Sequence, residues 1–237
     1  MGPLQRPQRS SGGQQALAER AEGLPTHGDY VLLQIIHDAG WPIWLLIATS
    51  VIGLALIIER FLALRTRNIM PAQLFDQAVD LVRNGPVMPS ALEKLATSSP
   101  SGRILAEVIA VRDHETAYRV TAIEDTGKDV AWRLNRYVPS LATIAVISPL
   151  LGLFGTVVGM IEIFASYTPA GGDPAQLARG ISVALYNTGF GILIAVPALI
   201  FHRYFKARVE HFLHHIEHQA SALDRLLHPH QQQGQTV

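Results

Sequence analysis

Two stretches of this sequence set small and hydroxylated side chains at helical spacing inside otherwise apolar runs. In SPLLGLFGTVVGM, residues 148–160, Ser148, Gly152, Gly155, Thr156 and Gly159 form one narrow stripe. Ala184, Thr188, Gly191 and Ala195 form a second. Small residues let helix backbones approach closely, and Gly155 with Gly159 is a GxxxG pair. Hydroxyls on such a stripe donate and accept hydrogen bonds without carrying charge. Spacing alone leaves two readings open. Either the stripes only pack, with each hydroxyl bonded to its own helix, or Thr156 and Thr188, with Ser148, form the wetted wall of an ion path.

Other chemistry is sparse. A carboxylate inside a bilayer costs about 2.5 to 3.5 kcal/mol on insertion scales, so any found there is a functional candidate. Neither stripe-bearing run has one near its middle. Glu162 lies one to two turns from the outer end of its run, and Glu59 sits beside Arg60 at the end of an earlier one. Both are read as interfacial or locally paired ionic residues. A proton crossing here must therefore be held in mid-membrane by a group from elsewhere. Pro149 and Pro197 each remove a backbone donor inside an apolar run, giving a kink or a hinge. His211, His214, His215 and His218 share much of one helical side, but no accompanying motif supports a metal site, so they are read as a solvated face. The sequence has no cysteine, no nucleophile beside a base and no phosphate loop, so no catalytic residue and no cofactor is expected. Basic and acidic residues balance at 19 each and are interleaved, which gives no reason to expect nucleic acid.

The elements that must position these residues follow from the apolar runs. Pro42 to Leu64, Pro139 to Tyr167 and Leu177 to Phe205 are each long enough to cross a core of roughly 30 Å at about 1.5 Å per residue. The fold class expected is all-α, a polytopic membrane protein with three transmembrane helices and long helices extending into the cytoplasm. Arg6, Arg9 and Arg20 precede no apolar core before Trp41, so a cleaved leader is not expected. Arg60, Arg65 and Arg67, then Lys128, Arg133 and Arg136, then Arg203, Lys206 and Arg208 flank the spans on one side. The positive-inside rule makes that side cytoplasmic and the amino terminus periplasmic. The chain then divides into a periplasmic segment 1–40, spans at 41–64, 138–168 and 177–206, a cytoplasmic region 65–137, a periplasmic turn 169–176, and a cytoplasmic helix with a disordered tail, 207–237. In the turn, Gly171 and Gly172 permit a tight reversal, Asp173 suits an N-cap and Pro174 the first helical position, so the second and third spans form an antiparallel hairpin.

Within residues 65–137, Pro71 opens a helix with Leu74, Phe75, Ala78, Val79 and Val82 on its apolar side, closed by Asn84 and Gly85. Ser90 with Glu93 reads as a capping box. No proline interrupts Arg103 to Tyr137, so a long helix is expected to run directly into the second span, with Gly127 weakening it by about 1 kcal/mol relative to Ala. The carboxyl-terminal helix is expected to reach about Leu227, ahead of a Gln-rich segment at 231–235.

The runs LATIAVISPLLGLFGTVVGMIEIF, residues 141–164, and GISVALYNTGFGILIAVPALIFHRYF, residues 180–205, closely resemble the paired signature of the ExbB/TolQ/MotA proton-channel family. IIERFLALR, residues 57–65, resembles the end of the first span in ExbB-like members, and three spans favour the ExbB and TolQ branch over the four-span MotA type. Thr156 in GTV and Thr188 in NTG match the family's pore threonines. Pro149 and Pro197 match its helix prolines, although Ser148 replaces the usual Ala. Val183 stands where several members carry Glu. The resemblance implies a homopentamer around a single-span partner of the ExbD or TolR type whose membrane Asp carries the proton, in the bacterial inner membrane. It implies work on a TonB-like protein for outer-membrane uptake, or on a TolA-like protein of a Tol-Pal type system. A non-conducting membrane scaffold is the reading from a different class.

Overall fold

The computed structural model describes residues 40–165 and 174–229. The expected amino-terminal segment, the turn with Gly171, Gly172 and Asp173, and the Gln-rich segment lie outside the described residues. Within them the chain is helical, without a strand. α1 is Ile43–Ala63, α2 Thr66–Ile69, α3 Leu74–Arg83, α4 Pro89–Ser98, α5 Pro100–Ala110, α6 Thr116–Asn135, α7 Val138–Ala165 and α8 Pro174–Leu227. Three of them, α1, α7 and most of α8, are long and apolar enough to cross a membrane.

The largest element is α8, whose 54 residues span about 81 Å at about 1.5 Å per residue. Its first half is apolar and packs antiparallel against α7, while its second half carries the charged tail sequence and packs on α5 and α6. α1 lies against both α7 and α8. Phe61 at its end meets the rings of Phe201, Tyr204 and Phe205 at centroid distances of 5.5, 5.9 and 5.1 Å. Trp41 meets Phe154 edge-on at 5.8 Å near the other end.

The core lies in the charged half. Leu105 and Val108 of α5, Val130 of α6, and Val209, Ile216 and Leu223 of α8 are essentially inaccessible to solvent. They recur at helical spacing on α8, so one stripe faces α5 and α6 while the other sides stay wet. The far end is tied down by charge. Arg119 Nε lies 3.4 Å from Asp224 Oδ1, and its Nη1 donates to the His114 carbonyl at 3.2 Å. His228 reaches Asp224 through Nδ1 and the Arg112 carbonyl through Nε2 at 2.8 Å.

Two local expectations are corrected. The helix from Arg103 does not continue into the second span, because it breaks after Ala110 and again at Arg136–Tyr137. The second break has a clear cause in Pro139, whose ring in a continuous helix would collide with the Asn135 carbonyl. The chain instead passes through Tyr137 at φ +66° and restarts at Val138. At the first break the polar run Arg112–Glu115 carries the turn. The Ser90 and Glu93 box does not form either. α4 begins one residue earlier at Pro89, with Met88 as its N-cap and no side-chain cap bond. The cap that does form is Ser99, whose Oγ accepts from the Gly102 amide at 3.0 Å and starts α5.

Candidate functional site

The two stripes meet. A Cβ added to Gly152 would lie 2.7 Å from the Asn187 carbonyl oxygen and 3.0 Å from Thr188 Cα. One added to Gly191 would lie 2.6 Å from the Ser148 carbonyl oxygen. One added to Gly155 would lie 2.6 Å from Asn187 Cβ. At these three positions only hydrogen fits; at Gly152 and Gly191 the two backbones touch, and at Gly155 the backbone of α7 meets the Asn187 side chain. Gly159 is less demanding, with Ala184 Cβ at 3.7 Å from an added Cβ.

Inside this seam lie two polar side chains, Ser148 and Asn187, both 0% exposed. Ser148 donates to the Ile144 carbonyl at 2.7 Å and Asn187 Nδ2 to the Val183 carbonyl at 3.3 Å. Ser148 therefore sits between the helices of one chain rather than on an open wall. Thr156 and Thr188 are placed differently. Each follows directly on a seam residue, Gly155 or Asn187, and these two touch, so the threonines lie within about one helical turn of each other along the seam. Both are half-buried at the flank of the seam. The Thr156 hydroxyl donates to the Leu153 carbonyl at 2.6 Å, which occupies its hydrogen and leaves its oxygen as an acceptor.

Pro149 and Pro197 lie within α7 and α8, and both helices run through them without a break. Neighbouring helices make this tolerable in an apolar setting, whereas Pro139 stands at a helix start. Glu162 is exposed.

Glu59 and Arg60 form the local pair expected of them, with Arg60 Nη2 donating to Glu59 Oε1 at 2.6 Å and Nε facing Oε2. The arrangement is larger than the sequence suggests. Arg60 is only 4% exposed, and its Nη1 donates to the Leu134 carbonyl at 3.2 Å. That carbonyl is one of the orphan acceptors at the end of α6, so α1 caps the helix that feeds α7. The ring of Tyr137 lies between two guanidinium groups, Arg60 at 5.3 Å and Arg136 at 4.8 Å. His202 of α8 completes the junction through Nδ1, 3.0 Å from the Val138 carbonyl. Sequence reasoning missed Asn187, the reach of Arg60 and His202, since each depends on a partner far away in the chain. For Asn187 one signal was present, a polar residue at helical spacing from Ala184 and Gly191.

Among the described residues no group of three or more His, Asp or Glu side chains is arranged to hold a metal ion. His211 and His215 stack edge to face at 4.5 Å on an exposed side of α8. Among the described residues one charged group is clearly displaced in its titration. Asp125, which accepts from the exposed Lys128 at 2.8 Å, holds that ammonium above its usual range, well away from the seam.

Comparison with known proteins places this geometry. The description of the MotA/TolQ/ExbB proton channel family matches residues 96–218, which hold the seam, both threonines and the junction apart from Glu59 and Arg60 of α1. The biopolymer transport protein exbB1 of Vibrio cholerae is 31% identical over 175 residues, covering 71% of this chain and 76% of the relative. The putative biopolymer transport protein ExbB-like 3 of Synechocystis is 29% identical over 167 residues, 68% of this chain and 79% of the relative. The Tol-Pal system protein TolQ of Haemophilus influenzae is 40% identical over 77 residues, about a third of each chain. A family match over half the sequence, and an ExbB relative aligned along most of its own length, show that this membrane protein belongs to the MotA/TolQ/ExbB proton channel family.

Proposed function

We propose that the chain is the proton-conducting subunit of an inner-membrane motor of the ExbB type, turning proton motive force into mechanical work on a TonB-like protein for outer-membrane uptake. The observation that carries the reading is the pair of half-buried threonines, Thr156 and Thr188, beside a seam with no charge in it. One hairpin encloses nothing, so several copies complete the path, and the family resemblance supports five as their number. Uncharged walls leave the proton carrier to a partner, a single-span protein of the ExbD or TolR type with a membrane Asp. To stabilise that carboxylate when it ionises a hydroxyl must donate to it, so Thr156 turns its hydrogen from the Leu153 carbonyl to the carboxylate and turns it back when the carboxylate is protonated. A fixed Arg or Lys in the wall would hold it. A proton falling through about 100 mV releases roughly 2.3 kcal/mol, enough for a modest conformational step.

The topology that fits is amino terminus in the periplasm and carboxyl terminus in the cytoplasm, with α2 to α6 and the second half of α8 on the cytoplasmic side. Since the chain has no cysteine of its own, single cysteines at Ser11, Thr97 and Gln232 test this directly. An impermeant reagent outside intact cells labels Ser11 alone, and labelling of Thr97 would overturn the orientation. Pro149 and Pro197 are assigned as hinges of the two lining helices.

Energised uptake in cells tests the function. Thr156→Val and Thr188→Val keep shape, so the complex assembles and uptake fails. Normal uptake in both variants would make the threonines packing residues and leave a scaffold. The TolQ likeness over residues of this chain supports a second reading, a subunit energising a Tol-Pal type system. Loss of envelope integrity with uptake intact on deletion would favour it.

A further inference from the structure

We infer that His202 is the proton acceptor at the cytoplasmic exit of the path, an inference that rests on the function proposed above. A proton released at the level of Thr156 and Thr188 must leave through the inner half of the hairpin. Residues 189–201 of α8 and 138–155 of α7 contain no titratable side chain. His202 is the first such group on either helix in that direction. It lies fourteen residues after Thr188 (202 − 188), on nearly the same side of α8 because two heptads drift by only about 40°. The separation along the axis is about 21 Å, so the ring collects protons from water or from the partner's helix rather than from the threonines.

Its hydrogen bonding prepares it for that task. The Val138 carbonyl, 3.0 Å from Nδ1, only accepts, so in the neutral ring Nδ1 carries the hydrogen and Nε2 the lone pair. Nε2 makes no hydrogen bond within the described residues. The ring is half-buried, which keeps it in place without sealing it off. Packed elements bring charged and titratable groups to this level: Glu59 and Arg60 from α1, Arg133, Arg136 and Tyr137 from the junction, and Arg203, Tyr204 and Lys206 from α8 itself. The step is a plain proton transfer. Nε2 takes a proton arriving along the path, giving an imidazolium held by Val138, and returns it to cytoplasmic water.

Proton flux through the full complex, this chain with its single-span partner in phospholipid vesicles, tests the inference when the cytoplasmic-face pH is varied from about 5.5 to 8 around the imidazole range. The wild-type flux changes across that range. His202→Asn keeps an N–H donor for the Val138 carbonyl but takes no proton, so the complex assembles, the pH dependence flattens and the maximal flux falls roughly a hundredfold. His202→Leu loses both roles. An Asn variant whose profile superimposes on the wild type would make His202 a structural tie and overturn this inference alone. A wild-type complex that conducts no protons, or an unaltered Thr188→Val, would overturn the proposed function and this inference with it.

Discussion

The hairpin of α7 and α8 and the charged half beyond it are built on opposite rules. The charged half buries large aliphatic side chains against one another, and each such side chain contributes about 1.5 to 3 kcal/mol through burial. Along its seam the hairpin buries almost nothing large, and its fully buried Leu141 lies at the end that joins the core of the charged half. Its seam consists of Gly152, Gly155, Gly191, Ser148 and Asn187, and its large residues, Leu150, Leu153, Val157, Leu185 and Leu193 among them, point outwards and stay exposed. In lipid an outward Leu costs nothing, so close approach of backbones is what remains to hold the helices together. The lesson is that the charged half is damaged mainly by removing atoms and the seam by adding them, Gly102 against the Leu95 carbonyl being the exception in the charged half.

The largest expected effect comes from removal. Leu105 is 0% exposed at the centre of the charged half, and Leu105→Ala should destabilise the protein by about 2 to 5 kcal/mol in denaturation followed in mild detergent. The next comes from addition. Gly152→Ala puts a methyl carbon 2.7 Å from a backbone oxygen that no rotamer change can move, and should cost about 1 to 3 kcal/mol and weaken assembly on size exclusion. A neutral outcome there would break the comparison.

Asp224→Asn removes the charge that Arg119 and His228 face. Asp224 is a third open to solvent, so the loss should be only about 1 kcal/mol, seen first as faster hydrogen exchange near Leu227. The smallest effect has the opposite sign. Gly127 has nothing within 4 Å of an added Cβ, so Gly127→Ala should stabilise α6 by about 0.5 to 1 kcal/mol. The same substitution at Gly152 and Gly127 thus separates the two halves by sign.

How far the sequence could be read follows the same division. The spans and their stripes were legible because lipid imposes length and close packing imposes small residues, both local patterns. The meeting of Gly152 with Thr188, and of Ser148 with Gly191, follows once an antiparallel hairpin is granted. What was not legible depends on long-range partners. Arg60 and Leu134 are 74 positions apart, so the burial of that arginine looked like a surface pair with Glu59. Ser148 looked like part of a wall because periodicity gives a face but not what the face meets. The break at Tyr137 was readable in principle from Pro139, which acts four residues back along the helix rather than at its own position.

The central claim is that the two threonine hydroxyls, and not the seam beside them, serve the partner's proton-carrying Asp. Proton flux through vesicles holding the complex with its single-span partner tests this directly. Thr188→Ser keeps a hydroxyl at the flank of the seam and should conduct at close to the wild-type rate. Thr188→Val keeps the shape and removes the hydroxyl, and should lower flux at least tenfold, about 1.4 kcal/mol or more, while the complex purifies unchanged. Wild-type flux in Thr188→Val would contradict the account.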